Sequence, residues 1–67
     1  MHLVVNAVAS TVDDDITVAD VVHRLAGPDP HGIAVALNGA IVPRAKWADT
    51  RPCDGDQVEV LTAVQGG

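Results

Sequence analysis

Hydrophobic and polar positions alternate in short blocks along the chain, broken once by a helical period. Met1, Leu3 and Val5 share one parity, so residues 1–5 read as a strand. Residues 8–12 read as its hairpin partner, with the turn near Asn6-Ala7. Asp13-Asp14-Asp15 ends that pattern. Val18, Val21, Val22 and Leu25 then fall at i, i+3, i+4 and i+7, one apolar stripe of a helix. Thr17 is its expected N-cap, and Asp20 three residues on completes a capping-box pair. Gly27 and Pro28 supply the stop. Residues 33–37 read as a strand with Ile33, Val35 and Leu37 on one face and Ala34 and Ala36 on the other. Asn38-Gly39 predicts a tight hairpin turn, because a type I′ turn needs positive φ at both central residues. Residues 40–42 return as a short strand that Pro43 ends. Residues 44–47 read as a short helical turn that docks Trp47 as a lid on the core edge. Asp54-Gly55-Asp56 is a further turn. Residues 57–64 alternate again, with Val58, Val60, Thr62 and Val64 on one parity and Glu59, Leu61 and Ala63 on the other.

The expected order is therefore β-β-α-β-β-β: an α+β fold with one sheet packed on one main helix. With 67 residues there is room for one domain, spanning 1–67, with a flexible tail at about 64–67. A hydrophobic share of 48% with only 1% aromatic residues means a core of Val, Leu and Ile, which suits strands.

Charge and cysteine content narrow the function classes. The net charge of −5 disfavours nucleic acid and anionic membrane surfaces as partners, and suits a basic protein surface. One cysteine, Cys53, cannot form an internal disulfide, which favours a reducing compartment. With no secretory signal and no run of ~18 apolar residues, the expected setting is the cytoplasm. His2, His23 and His31 lack metal-ligand spacing, so no metal and no bound cofactor are expected. Cys53 reads as a small, partly buried filler, and the aspartate run as a solvated turn. No catalytic set emerges from the spacing.

The final Gly66-Gly67 pair differs. A frayed end would tolerate glycine. A side-chain-free tail, however, can thread a narrow enzyme channel in backbone conformations closed to other residues. The Gly67 carboxylate is then the reactive group it presents, inert until ATP converts it to an acyl-adenylate. Beside the tail, parity places Leu61, Ala63, Glu59, Ala34 and Ala36 on the outward sheet face. That makes a shallow apolar patch of the kind that marks a protein interface. Arg44 and Lys46 are candidates for its rim.

Several segments carry a family resemblance: Ala36-Leu37-Asn38-Gly39, Ile41-Val42-Pro43-Arg44 with Trp47, Asp54 to Glu59, and Val64 to Gly67. Together they cover nearly the whole length. The chain resembles the sulfur carrier proteins of thiamine (thiazole) biosynthesis, within the ubiquitin-like β-grasp superfamily, which implies a mixed sheet packed on one main helix. V-P-R-x-x-W is the most specific segment. The resemblance implies that Gly67 is the covalent site, adenylated by an E1-like enzyme using ATP. The acyl group then becomes a thiocarboxylate with sulfur from a cysteine desulfurase or another donor, and thiazole synthase receives that sulfur. Gly66 gives clearance in the channel. Gln65 stands where many relatives carry a small residue and makes the tail bulkier. The implied role is a protein co-substrate and not an enzyme. The same tail chemistry also fits a carrier for molybdopterin or cysteine synthesis, or a modifier joined to lysines. A plain interaction domain needs no tail chemistry at all.

Overall fold

The computed structural model describes residues 1–28 and 31–62. Its strands are β1 (His2–Val5), β2 (Val8–Thr11), β3 (Ile33–Leu37), β4 (Ala40–Ile41) and β5 (Gln57–Thr62). One α-helix, α1 (Val18–Ala26), lies between β2 and β3, and a 3₁₀ helix (Arg44–Asp49) lies between β4 and β5. The sheet order is β2-β1-β5-β3-β4. β5 and β1 run parallel and the other pairs antiparallel, so the sheet is mixed, as the resemblance implies.

Turn chemistry fixes the two hairpins. Asn38 and Gly39 take φ of 49° and 83°, the left-handed pair that a two-residue hairpin turn demands. Asn6 and Ala7 do the same at φ 49° and 68°, although Ala7 has a Cβ that disfavours this region. At the helix start the Asp20 amide donates to the Thr17 hydroxyl at 3.1 Å, and the Thr17 amide donates to the Asp20 carboxylate at 3.0 Å. This is the expected reciprocal cap. It also holds the Asp20 carboxyl below its usual pKa, chiefly through the Thr17 amide.

Leu3, Val35 and Val58 project from the three central strands onto Val18, Val21 and Val22 of the helix. Ile16 and Trp47 complete this core. The Trp47 indole nitrogen donates to the Val42 carbonyl at 2.9 Å, which satisfies its one polar group and seats the lid.

Some expectations change. Leu25 is 54% exposed and does not complete the helical stripe. It overhangs a groove whose β2 side is lined by Ser10 and Thr11, which are too small to cover it. β4 stops at Ile41, yet the Val42 amide still donates to Val35 before Pro43 breaks the ladder. The 3₁₀ helix runs two residues past Trp47, to Asp49. Cys53 is exposed, because the neighbouring Pro52 takes the buried place and the Cys53 amide is tied into a turn by Asp56 at 2.8 Å. Among the described residues no helix is long and apolar enough to cross a membrane.

Candidate functional site

β5 is the central strand, and the side chains on its two faces have different fates. Val58 is fully buried against the helix, whereas Glu59 and Leu61 point away from it. Register then builds the outer face. Ala34 lies opposite Leu61, Ala36 lies opposite Glu59, and on its other side Ala36 pairs with Ile41. Ile41–Ala36–Glu59 forms one row across three strands, and Ala34–Leu61 forms the next. Leu61 is 56% exposed and Ile41 69% exposed, so the face carries two large apolar side chains on a floor of alanine. Glu59 is exposed, and no hydrogen bond or ion pair among the described residues engages its carboxylate.

The structure thus brings Leu61, Glu59, Ala34 and Ala36 together, and it does not bring Arg44 to them. The 3₁₀ helix folds back on the helix side to seat Trp47. Arg44 therefore stacks 5.9 Å from the Trp47 ring centre and lines a cleft with Ala19 and His23 of α1. Lys46 rides on the same 3₁₀ helix. Ala63, Gln65, Gly66 and Gly67 lie outside the described residues. Among the described residues no three histidine, cysteine or acidic side chains gather as a metal site.

Two residues join the site that the sequence pattern did not single out. Ile41 was legible: a two-residue turn at Asn38-Gly39 pairs Leu37 with Ala40 and hence Ala36 with Ile41, on one face. Asn6 reads from sequence only as a turn residue. In the structure its backbone amide donates to the Val58 carbonyl at 2.9 Å. Its side-chain Oδ1 accepts from the Val60 amide at 2.8 Å, and its Nδ2 donates to the Val60 carbonyl at 3.3 Å. The side chain thereby extends the β1–β5 ladder past the point where β1 turns away.

The start of β5 is held as well. The Asn38 amide donates to the Gln57 carbonyl at 2.8 Å, and the Asn38 Oδ1 accepts from the Gln57 amide at 2.9 Å. The adjacent Asp56 carboxyl is held below its usual pKa, first by the Cys53 amide and then by the Asn38 side chain. β5 is thus pinned at both ends with its outer face left open, a platform for whatever follows Thr62.

The family model for ThiS matches residues 3–67. The chain belongs to the ThiS family. A crystal structure of the thiamine biosynthesis protein ThiS from Geobacter metallireducens superposes with a TM-score of 0.82 at 35% identity, covering all of both chains. The β-grasp arrangement that the resemblance implies is therefore the one observed. The sulfur carrier protein ThiS of Escherichia coli is 44% identical over 36 residues, 54% of each chain. A thiazole synthase of Paramagnetospirillum magneticum is 33% identical over all 67 residues of this chain. This ThiS-family chain spans only 20% of that synthase's length.

Proposed function

We propose that this chain is a sulfur carrier of thiamine biosynthesis, a protein co-substrate whose reactive group is the Gly67 carboxylate. The observation that carries this reading is the ThiS family match, which runs through residue 67 and so includes the Gly66-Gly67 pair. A carboxylate resists nucleophiles because its charge is delocalised and it lacks a leaving group. In the proposed sequence an E1-like adenylyltransferase lets a Gly67 oxygen attack the α-phosphorus of ATP, and pyrophosphate leaves. The terminal sulfur of a persulfide supplied by a cysteine desulfurase or another donor then displaces AMP to give an acyl disulfide, and a thiol reductant cleaves its S–S bond, leaving the thiocarboxylate and becoming part of a disulfide itself. Thiazole synthase takes the sulfur. The chain's own part is to dock and to present: Leu61, Ile41, Ala34 and Ala36 bury apolar area against each enzyme in turn, Glu59 meets a basic group, and Gly66 leaves the channel clear.

The partner assignment draws support from the synthase relative, in which a ThiS-like segment and a thiazole synthase share one chain. A synthase surface that receives such a segment is expected to receive a free carrier in the same way. The proposed setting is the cytoplasm, which supplies the ATP. The test is intact-mass analysis after incubation with the adenylating enzyme, ATP and a sulfur donor. The expected result is a mass gain equal to exchanging one oxygen for sulfur, lost when Gly67 is deleted. A carrier whose mass stays unchanged under conditions that load a known carrier would sink the proposal.

A further inference from the structure

Asn6 and Asn38 stand in equivalent places. Each opens a two-residue hairpin turn at φ 49°, and each turns its carboxamide onto the backbone of β5. Asn38 holds Gln57, where the strand begins. Asn6 holds Val60 through two hydrogen bonds, two residues before β5 ends at Thr62. Beyond Val60 the β1 side of the strand has no further ladder bond among the described residues, because β1 has already turned into β2. On that side the Asn6 side chain makes the last bond among the described residues, while on the other edge β3 still pairs with Leu61 and Thr62.

We infer that Asn6 is a positioning residue for activation of the tail: its carboxamide sets the direction in which β5 releases the chain. The inference rests on the sulfur-carrier reading. Gly67 lies seven positions after Val60, a reach of at most about 25 Å when extended, so a swing of roughly 10° at the base moves the end by about 4 Å. Misplacement of a reacting group by about 1 Å can cost two orders of magnitude in rate. An enzyme that grips the outer sheet face receives the carboxylate in register only if the junction between face and tail is stiff. Side chains that grip the enzyme set affinity, and the junction sets how often a docked carrier is aligned. Loss of the Asn6 carboxamide therefore acts on kcat and leaves KM nearly alone.

The partnering asparagine supplies the control. Asn6→Gly and Asn38→Gly both keep a residue that tolerates positive φ, and both remove a carboxamide from β5, but at opposite ends. Two measurements are compared across wild type and both variants: amide hydrogen exchange of the isolated chain, and ATP–pyrophosphate exchange with the adenylating enzyme. In Asn6→Gly, exchange at Val60 is expected to rise about tenfold and kcat to fall about tenfold, equivalent to about 1.4 kcal/mol, with KM within about twofold. In Asn38→Gly the faster exchange moves to Gln57 and kcat stays at the wild-type value. If Asn6→Gly does not fold, Asn6→Asp replaces it: it keeps the acceptor for the Val60 amide, loses the donor to the Val60 carbonyl, and is expected to lose part of the kcat. Equal kcat losses at Asn6 and Asn38 overturn the inference, as does a loss confined to KM or an unchanged kcat. Those results leave the carrier proposal standing, whereas a wild-type chain that forms no adenylate takes both down.

Discussion

Leu61 and Leu25 are almost equally exposed, at 56% and 54%, yet lie on opposite sides of the sheet. This makes them a matched pair for testing the docking face. Complete burial of a leucine side chain is worth about 1.5–3 kcal/mol relative to full exposure. With just over half of Leu61 still open to solvent, a partner that covers it gains roughly 0.8–1.7 kcal/mol. Truncation to alanine keeps the Cβ, so Leu61→Ala is expected to forfeit about 1 kcal/mol, or about fivefold in affinity. Fold stability is expected to stay within about 0.5 kcal/mol, as for most surface changes. The assay is isothermal titration of the chain into its proposed partners, the adenylating enzyme or thiazole synthase, with Leu25→Ala alongside. A fivefold weaker Kd for Leu61→Ala and an unchanged one for Leu25→Ala fit the outer face. Equal weakening by both, or none by Leu61→Ala, refutes the assignment of the docking surface.

Three further outcomes follow from the packing and the charges. Leu3 is fully buried, so Leu3→Ala is expected to cost about 2–5 kcal/mol, a large share of the roughly 3–10 kcal/mol that a chain of this length holds; urea titration followed by circular dichroism measures it. Ala7 sits at φ 68°, so Ala7→Gly is expected to stabilise the fold by about 1 kcal/mol and raise Tm by about 4–8 °C, with a lower Tm counting against the strain at this turn. Asp56 has its folded pKa lowered by the Cys53 amide and the Asn38 side chain, so its stabilisation is complete above the unfolded value of about 3.9 and fades as pH falls through the folded value. Asp56→Asn is accordingly expected to lower Tm at pH 7 and to converge on wild type in strong acid; a Tm deficit that persists unchanged there would contradict this account.

Most of the fold was legible because its signals are local. The capping box at Thr17 and Asp20, the Asn38-Gly39 turn and the alternation through Val58 and Val60 each depend on neighbours within a few residues. The outer face followed from parity alone, since Val58 inward forces Glu59 and Leu61 outward. What escaped depends on contacts distant in sequence. Leu25 has the right helical phase, but whether it is covered depends on which β2 side chains lie opposite. Arg44 is close in sequence to the β3–β4 hairpin, yet the need to seat Trp47 carries it to the other side of the sheet. Cys53 lost its buried place to Pro52, a choice no periodicity encodes. The Asn6 clasp joins residues 54 positions apart, and nothing near Asn6 announces it.

The parallel pairing of Val4 with Gln57 has a consequence for how the molecule comes into being. Each hairpin can close on its own, but β1–β2 and β3–β4 belong to separate halves of the sheet until β5 enters between them. Pairings this distant in sequence are slow, because most of the chain must be drawn into a loop before they form. Of the described strands β5 is also the last to leave the ribosome. A nascent chain therefore holds two unjoined hairpins with open edges, and the segment that carries the tail is the one that completes the body beneath it. Under the proposed function, folding and readiness for activation arrive in the same step.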